Sequence, residues 1–296
     1  MGIISASLCF LLIAYYSLRN SNRVKSQDEY LLAGRHTKLL PLVATLVMTE
    51  FNTGTLISFS SLGYLAGYWA LAMPFIFLIG LLFYTLTVAK KWKQFNGVSV
   101  AHFFATRYGR KLELLVASVL FLAMLGFSAA YIKSLTLLMQ PLIPINSLVL
   151  SAALVIVILL LTLRGGLSSI IALDVLSFIF VIVFFPLLVY FSYHLPQSNQ
   201  VPAFNLAQMQ ALLPPKFIIS LTILTMFSYI IAPWYGQKIV AAKTQQTAYF
   251  AAAIAAIIIF LLYGLGILAT AILRSKGVQL ADIQLGLPYL IRNALP

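Results

Sequence analysis

Apolar runs of about twenty residues recur from one end of this chain to the other, separated by short polar connections. Inside a bilayer each run must satisfy its own backbone hydrogen bonds, so the run folds as a helix. The chain therefore reads as an all-α polytopic membrane protein. With 62% hydrophobic and only 8% charged residues, a water-soluble domain is excluded. The net charge of +13 would suit a nucleic-acid partner, but the basic residues sit between apolar runs rather than along one face. No nucleic-acid partner is expected, and the bilayer is the partner that composition demands. Cys9 stands alone, and His36, His102 and His194 fall in separate loops, so no disulfide or zinc centre is expected.

About eight spans are expected: 2–17, 40–62, 69–89, 113–139, 147–163, 168–193, 217–235 and 247–273. Lys and Arg number five, none, six, none, one, none and two in the successive loops, with three more in the tail. Short basic loops stay on the cytoplasmic side. The alternation places the first, third, fifth and seventh loops inside and the N-terminus outside, in a plasma or inner cell membrane. Arg274, Lys276 and Arg292 in the tail run against this rule. Trp69 and Trp92 read as interfacial aromatics at span ends, and Lys133 as a side chain snorkelling to the outer surface.

The second span is abnormal. In residues 41–64, PLVATLVMTEFNTGTLISFSSLGY, the polar and flexible residues Thr49, Glu50, Asn52, Thr53, Gly54 and Thr55 crowd the middle. A carboxylate there costs about 2.5–3.5 kcal/mol on insertion scales. Such a segment is tolerated where a non-helical backbone lines a cavity, and 48–54 is expected to be non-helical. The other reading is a Glu held in a structural hydrogen-bond network. Asp174 is a second intramembrane acid. It lies roughly 9 Å into its span and Glu50 roughly 15 Å into its own, at 1.5 Å per residue. Two acids at similar depth suit a path for a monovalent cation. In span seven, Thr222, Thr225 and Tyr229 share a face, either as cavity lining or as packing hydroxyls. Gly165-Gly166 permits a tight turn. There is no Walker loop, nucleophile elbow, HExxH or CxxC, so the chain is not expected to be an enzyme.

Several ordered segments resemble the sodium:solute symporter family. Asp28–Arg35, DEYLLAGR, resembles its D-(F/Y)-x-L-A-G-R signature, and ATLVMTEFNTGTLISFSSLGY resembles its broken sodium-site helix. Residues 98–109, VSVAHFFATRYG, resemble its inner-loop motif. LRGGLSSIIALDVLS resembles GG-x-x-A-V-x-x-T-D-x-x-Q, and Gln237–Lys243, QKIVAAK, resembles Q-R-x-x-A-A-K. Leu173, Ser177 and Ser60 depart from the usual Thr, Gln and Pro. The resemblance implies a LeuT-type inverted-repeat fold in a single transmembrane domain, 1–296. Residues 1–39 would be the first helix and cytoplasmic loop, 40–193 a complete first five-helix repeat, and 216–296 the start of a partial second repeat.

It further implies a sodium-coupled symporter importing a small organic solute. Na+ would be held by the backbone carbonyls of Met48 and Phe51, with Asp174 on its path. Glu50, Asn52, Thr53 and Tyr229 would face the solute, Tyr229 as an aromatic gate. The family's hydroxyl ligands from a later helix have no counterpart here. The chain is therefore expected to be an N-terminal portion, inactive unless a second polypeptide supplies the missing helices. The competing expectations are a transporter-like sensor module of a signalling protein and an inactive remnant of an interrupted gene.

Overall fold

The computed structural model describes residues 26–95, 97–140, 143, 145–162, 166–197 and 205–295. The expected span 2–17, together with Cys9, Arg164 and Gly165, lies outside the described residues. Fourteen α-helices follow in order: α1 Gln27–Leu32, α2 Leu39–Glu50, α3 Thr53–Ala66, α4 Ala72–Thr87, α5 Ala89–Gln94, α6 Val100–Tyr108 and α7 Arg110–Met139. After them come α8 Ser147–Thr162, α9 Gly166–Tyr193, α10 Leu206–Leu212, α11 Pro215–Ile230, α12 Pro233–Val240, α13 Gln245–Ser275 and α14 Gly286–Asn293. No strand occurs among the described residues. Among the described residues, five stretches are long and apolar enough to cross a membrane: Thr53–Thr87, Arg110–Met139, Gly166–Tyr193, Leu206–Ile230 and Gln245–Ser275. The chain is a multi-pass membrane protein.

Helix α13 is the central post, packed by α2, α3, α4 and α9. Ala248, Ala251, Ala252, Ala255 and Ala256 are fully buried on it. Small side chains let helix backbones approach where lipid provides no hydrophobic drive for association. Gly63 of α3 shows how close the crossing is: a Cβ there would lie 2.6 Å from the Ile267 carbonyl and the Thr270 hydroxyl. Helices α7, α9 and α11 instead bury few of their residues, as a lipid-facing surface allows.

The basic loops converge at one end. Thr37 N donates to Ala241 O at 3.0 Å and Lys243 N to Thr37 O at 2.8 Å, a short parallel bridge between the lead-in to α2 and the end of α12. Gln237 reaches Leu31 O, Ser168 reaches Glu29 O, and Lys93 reaches Val240 O. Gly166, at φ +53°, starts α9 against the Tyr30 backbone, where a Cβ would collide. The other end is tied by Tyr64 to Val278 O and by Trp69 to Leu213 O. Two of the three tail cations that run against the charge rule are engaged there. Arg274 caps the end of α3 through Tyr64 O and Leu65 O, and Lys276 lies over the Tyr193 ring. Lys216 adds a further cation at this end, in the first turn of α11.

Two expectations are corrected. The second span is interrupted at Phe51 and Asn52 alone, not across 48–54, because α2 stays helical to Glu50 and α3 begins at Thr53. Span seven is not one continuous helix: α11 ends at Ile230 and α12 starts at Pro233. Proline has no N–H to donate and clashes with the preceding turn, but fits the first position of a new helix. Trp92 is also more than an interfacial ring. It is buried and donates to Ile230 O at 2.9 Å, satisfying a carbonyl that the break exposes.

Candidate functional site: two broken helices around Glu50

The break in α2/α3 is built by diverted amides. In a continuous helix the amides of Asn52 and Thr55 would bond the carbonyls of Met48 and Phe51. Here Asn52 N donates to Glu50 O at 2.8 Å and to Tyr263 Oη at 3.2 Å. Thr55 N donates to the Asn52 side-chain oxygen at 2.9 Å, an N-cap for α3. The Met48 and Phe51 carbonyls thereby lose their helical partners. Glu50 O does not go free, because the Tyr263 hydroxyl donates to it and Asn52 Nδ2 donates to it at 2.8 Å. Tyr263 is a fully buried phenol on the central α13. It locks the kink from behind by serving one carbonyl and one amide.

The Glu50 side chain points toward the second break. Only 5% exposed, it accepts from Tyr229 Oη at 2.9 Å and from Trp234 Nε1 at 2.8 Å. Tyr229 closes α11 and Trp234 opens α12, so one carboxylate spans the second interruption. Among the described residues no cation lies within ion-pair distance of it. A cavity of about 330 Å³ opens beside these groups. Glu50, Asn52 and Tyr229 line it, as does Thr225 of the span-seven face. Thr53 is not in the lining; its hydroxyl donates to Tyr131 O at 3.3 Å. Lys133 lines a separate, wider cavity on the other flank of α3.

Asp174 does not touch Glu50. Its carboxylate pairs with Lys238 Nζ at 2.8 Å and accepts from the Thr45 hydroxyl. Lys238 also donates to Thr45 O at 3.1 Å. Asp174 on α9, Thr45 on α2 and Lys238 on α12 thus form one polar knot on the basic-loop side of Glu50. A mostly buried ion pair of this kind holds its helices in register, because freeing either charge is costly.

Against this geometry, a family model for the sodium:solute symporter family matches residues 30–282. The chain belongs to the sodium:solute symporter family. Members of this family are transporters rather than enzymes and move a solute together with Na+. No curated protein matches the chain. Several residues of this site have no functional role assigned from the sequence. Trp234 lies in a segment that reads only as a span end, and Lys238 enters only within the QKIVAAK resemblance, although the Ala-Pro step at 232–233 marks the second break. Tyr263 is one phenol in a long Ala- and Ile-rich helix, and no local pattern shows that it faces residue 52.

Proposed function

We propose that this protein couples import of a small organic solute to sodium entry, with the solute in the Glu50 cavity and Na+ beside it at the carbonyls of Met48 and Phe51. The observation that carries the reading is the diversion of the Asn52 and Thr55 amides, which frees those two carbonyls at a helix interruption. Oxygen dipoles released in this way are suited to a small hard cation. Glu50, Asn52 and Tyr229 are the proposed solute-facing residues, Tyr229 acting as gate while its hydroxyl is tethered to Glu50; Thr53, outside the cavity lining, drops out of the set expected from the sequence.

Two interrupted helices of opposite direction, α2/α3 and α11/α12, support a LeuT-type inverted repeat. The first repeat would occupy 40–193 and the second would begin near 216 within one transmembrane domain. The clustering of the basic loops at one end supports a cytoplasmic location for that end, an outside N-terminus and residence in a cell membrane. Asp174 would lie on the ion's inward path. There the Lys238 ammonium occupies its carboxylate until an arriving cation competes for it.

The test is radioactive sodium binding to the purified protein. Saturable binding, displaced by unlabelled Na+ but not K+, is expected. Tyr263→Phe, which removes the hydroxyl holding the kink, should weaken sodium affinity about tenfold, the lower end for support of a metal ligand. Non-saturable binding, or an unchanged affinity in a folded Tyr263→Phe protein, would refute the assignment.

A further inference from the structure

The chemistry of the Glu50 cavity wall selects a solute class. Its aromatic walls are Phe77, Phe127, Tyr131, Tyr229 and Trp234, and Glu50 is the one acidic residue of the lining. No Lys, Arg or His contributes to it. The nearest cation assigned to this region, Lys238, is committed to Asp174 and the Thr45 carbonyl.

The wall is also short of hydrogen-bond donors. Thr49, Ser128, Thr225 and Ser228 each donate to the carbonyl four residues earlier in their own helices, at 2.6, 2.8, 2.7 and 2.8 Å. Tyr229 and Trp234 donate to the Glu50 carboxylate, and Asn52 Nδ2 to the Glu50 carbonyl. The hydroxyl lone pairs remain, together with the unspent acceptor capacity of the carboxylate.

A cavity that offers acceptors, one carboxylate and aromatic faces complements a cation that brings its own N–H donors. Aromatic faces attract ammonium groups through the ring quadrupole. A buried carboxylate without a counter-charge gains most from a ligand that provides one. An anion would meet a like charge and few donors, the Thr55 and Tyr131 hydroxyls of the lining. From this we infer that the transported solute is a compact organic ammonium bearing N–H groups, bound between Glu50 and the aromatic wall. The inference rests on the proposed function of this cavity.

The test uses the complete purified chain in sodium-containing buffer and reads the thermal shift produced by small probes of one size. Ethanolammonium is expected to raise the melting temperature, since a ligand bound only by the folded state stabilises it. Ethylene glycol and glycolate are expected to do little. Tetramethylammonium, a cation without donors, should bind more weakly than ethanolammonium, and zwitterionic glycine more weakly still. Glu50→Gln should weaken ethanolammonium about thirtyfold or more, as loss of one partner from a buried charge pair does. Phe127→Leu alters a half-exposed ring, 44% accessible, and should weaken it several-fold, so the inference is still decided if Glu50→Gln fails to fold.

Glycolate or ethylene glycol matching ethanolammonium would overturn the inference. So would tetramethylammonium matching it, or a folded Glu50→Gln protein that keeps its response. Radioactive sodium binding on the same samples separates the two failures. Intact sodium binding with no response to any probe overturns the ammonium assignment alone, whereas lost sodium binding overturns the underlying transport reading.

Discussion

Asp174→Asn is the perturbation that best separates a structural knot from an ion path. The carboxylate and the Lys238 ammonium are 2.8 Å apart, with side chains only 18% and 11% exposed. Screening by water is therefore small, and removing one partner strands the other. Asparagine preserves the shape and one neutral acceptor oxygen for the Thr45 hydroxyl and Lys238, but Lys238 loses its counter-charge and is left with neutral acceptors alone. Breaking a buried pair in this way costs about 3 kcal/mol, the lower end of the usual range. Lys238→Met strands Asp174 and should cost a similar amount. The double variant has no stranded charge, so its loss should fall short of the sum by about 2 kcal/mol. The assay is equilibrium unfolding in detergent for the four proteins of the cycle. Losses that add to within about 0.5 kcal/mol would refute the argument that the two charges depend on each other. Sodium binding by Asp174→Asn adds the functional arm: a weakened apparent affinity is expected, and an unchanged one would reduce Asp174 to a helix tie.

Gly63→Ala should destabilise by about 1–3 kcal/mol, because its methyl would meet backbone and Thr270 of α13 at 2.6 Å; an unchanged melting temperature would mean that the α3/α13 crossing is looser than described. Trp92→Phe keeps the buried ring but leaves Ile230 O without its donor, and should cost about 1–2 kcal/mol in the same assay. Tyr229→Phe removes one of two hydrogen bonds to Glu50 while keeping the ring that closes the cavity. It should cost less stability than Trp92→Phe if the freed carboxylate oxygen is solvated through the cavity, and comparison of the two unfolding curves checks this.

Hydrophobic run length and the spacing of basic residues were enough to read a multi-pass helical bundle, because lipid leaves few backbone solutions. The interruption near Glu50 was also legible, since a carboxylate beside Asn, Thr and Gly cannot form an ordinary span. Its width was not. Thr53 and Gly54 are weak helix formers, yet Asn52 caps the new helix, so the break shrinks to two residues. The second break escaped because Pro233 lies within an otherwise apolar run, and the sequence was read for charge rather than for the missing amide. Tyr263, Trp234 and Lys238 were not legible as a group. Their roles come from α12 and α13 meeting α2 and α9, and no periodicity within one helix reports what stands opposite.

The bridge between Thr37 and Ala241–Lys243 has a mechanical consequence. It fastens the base of one interrupted helix to the base of the other, and the Asp174–Lys238 pair adds a second fastening to α9 higher up. The two lower half-helices are thereby a single coupled lever, and the interruptions at 51–52 and 231–232 are its fulcrums. Torque applied at either fulcrum reaches both, so a ligand that straightens one kink must work against the other.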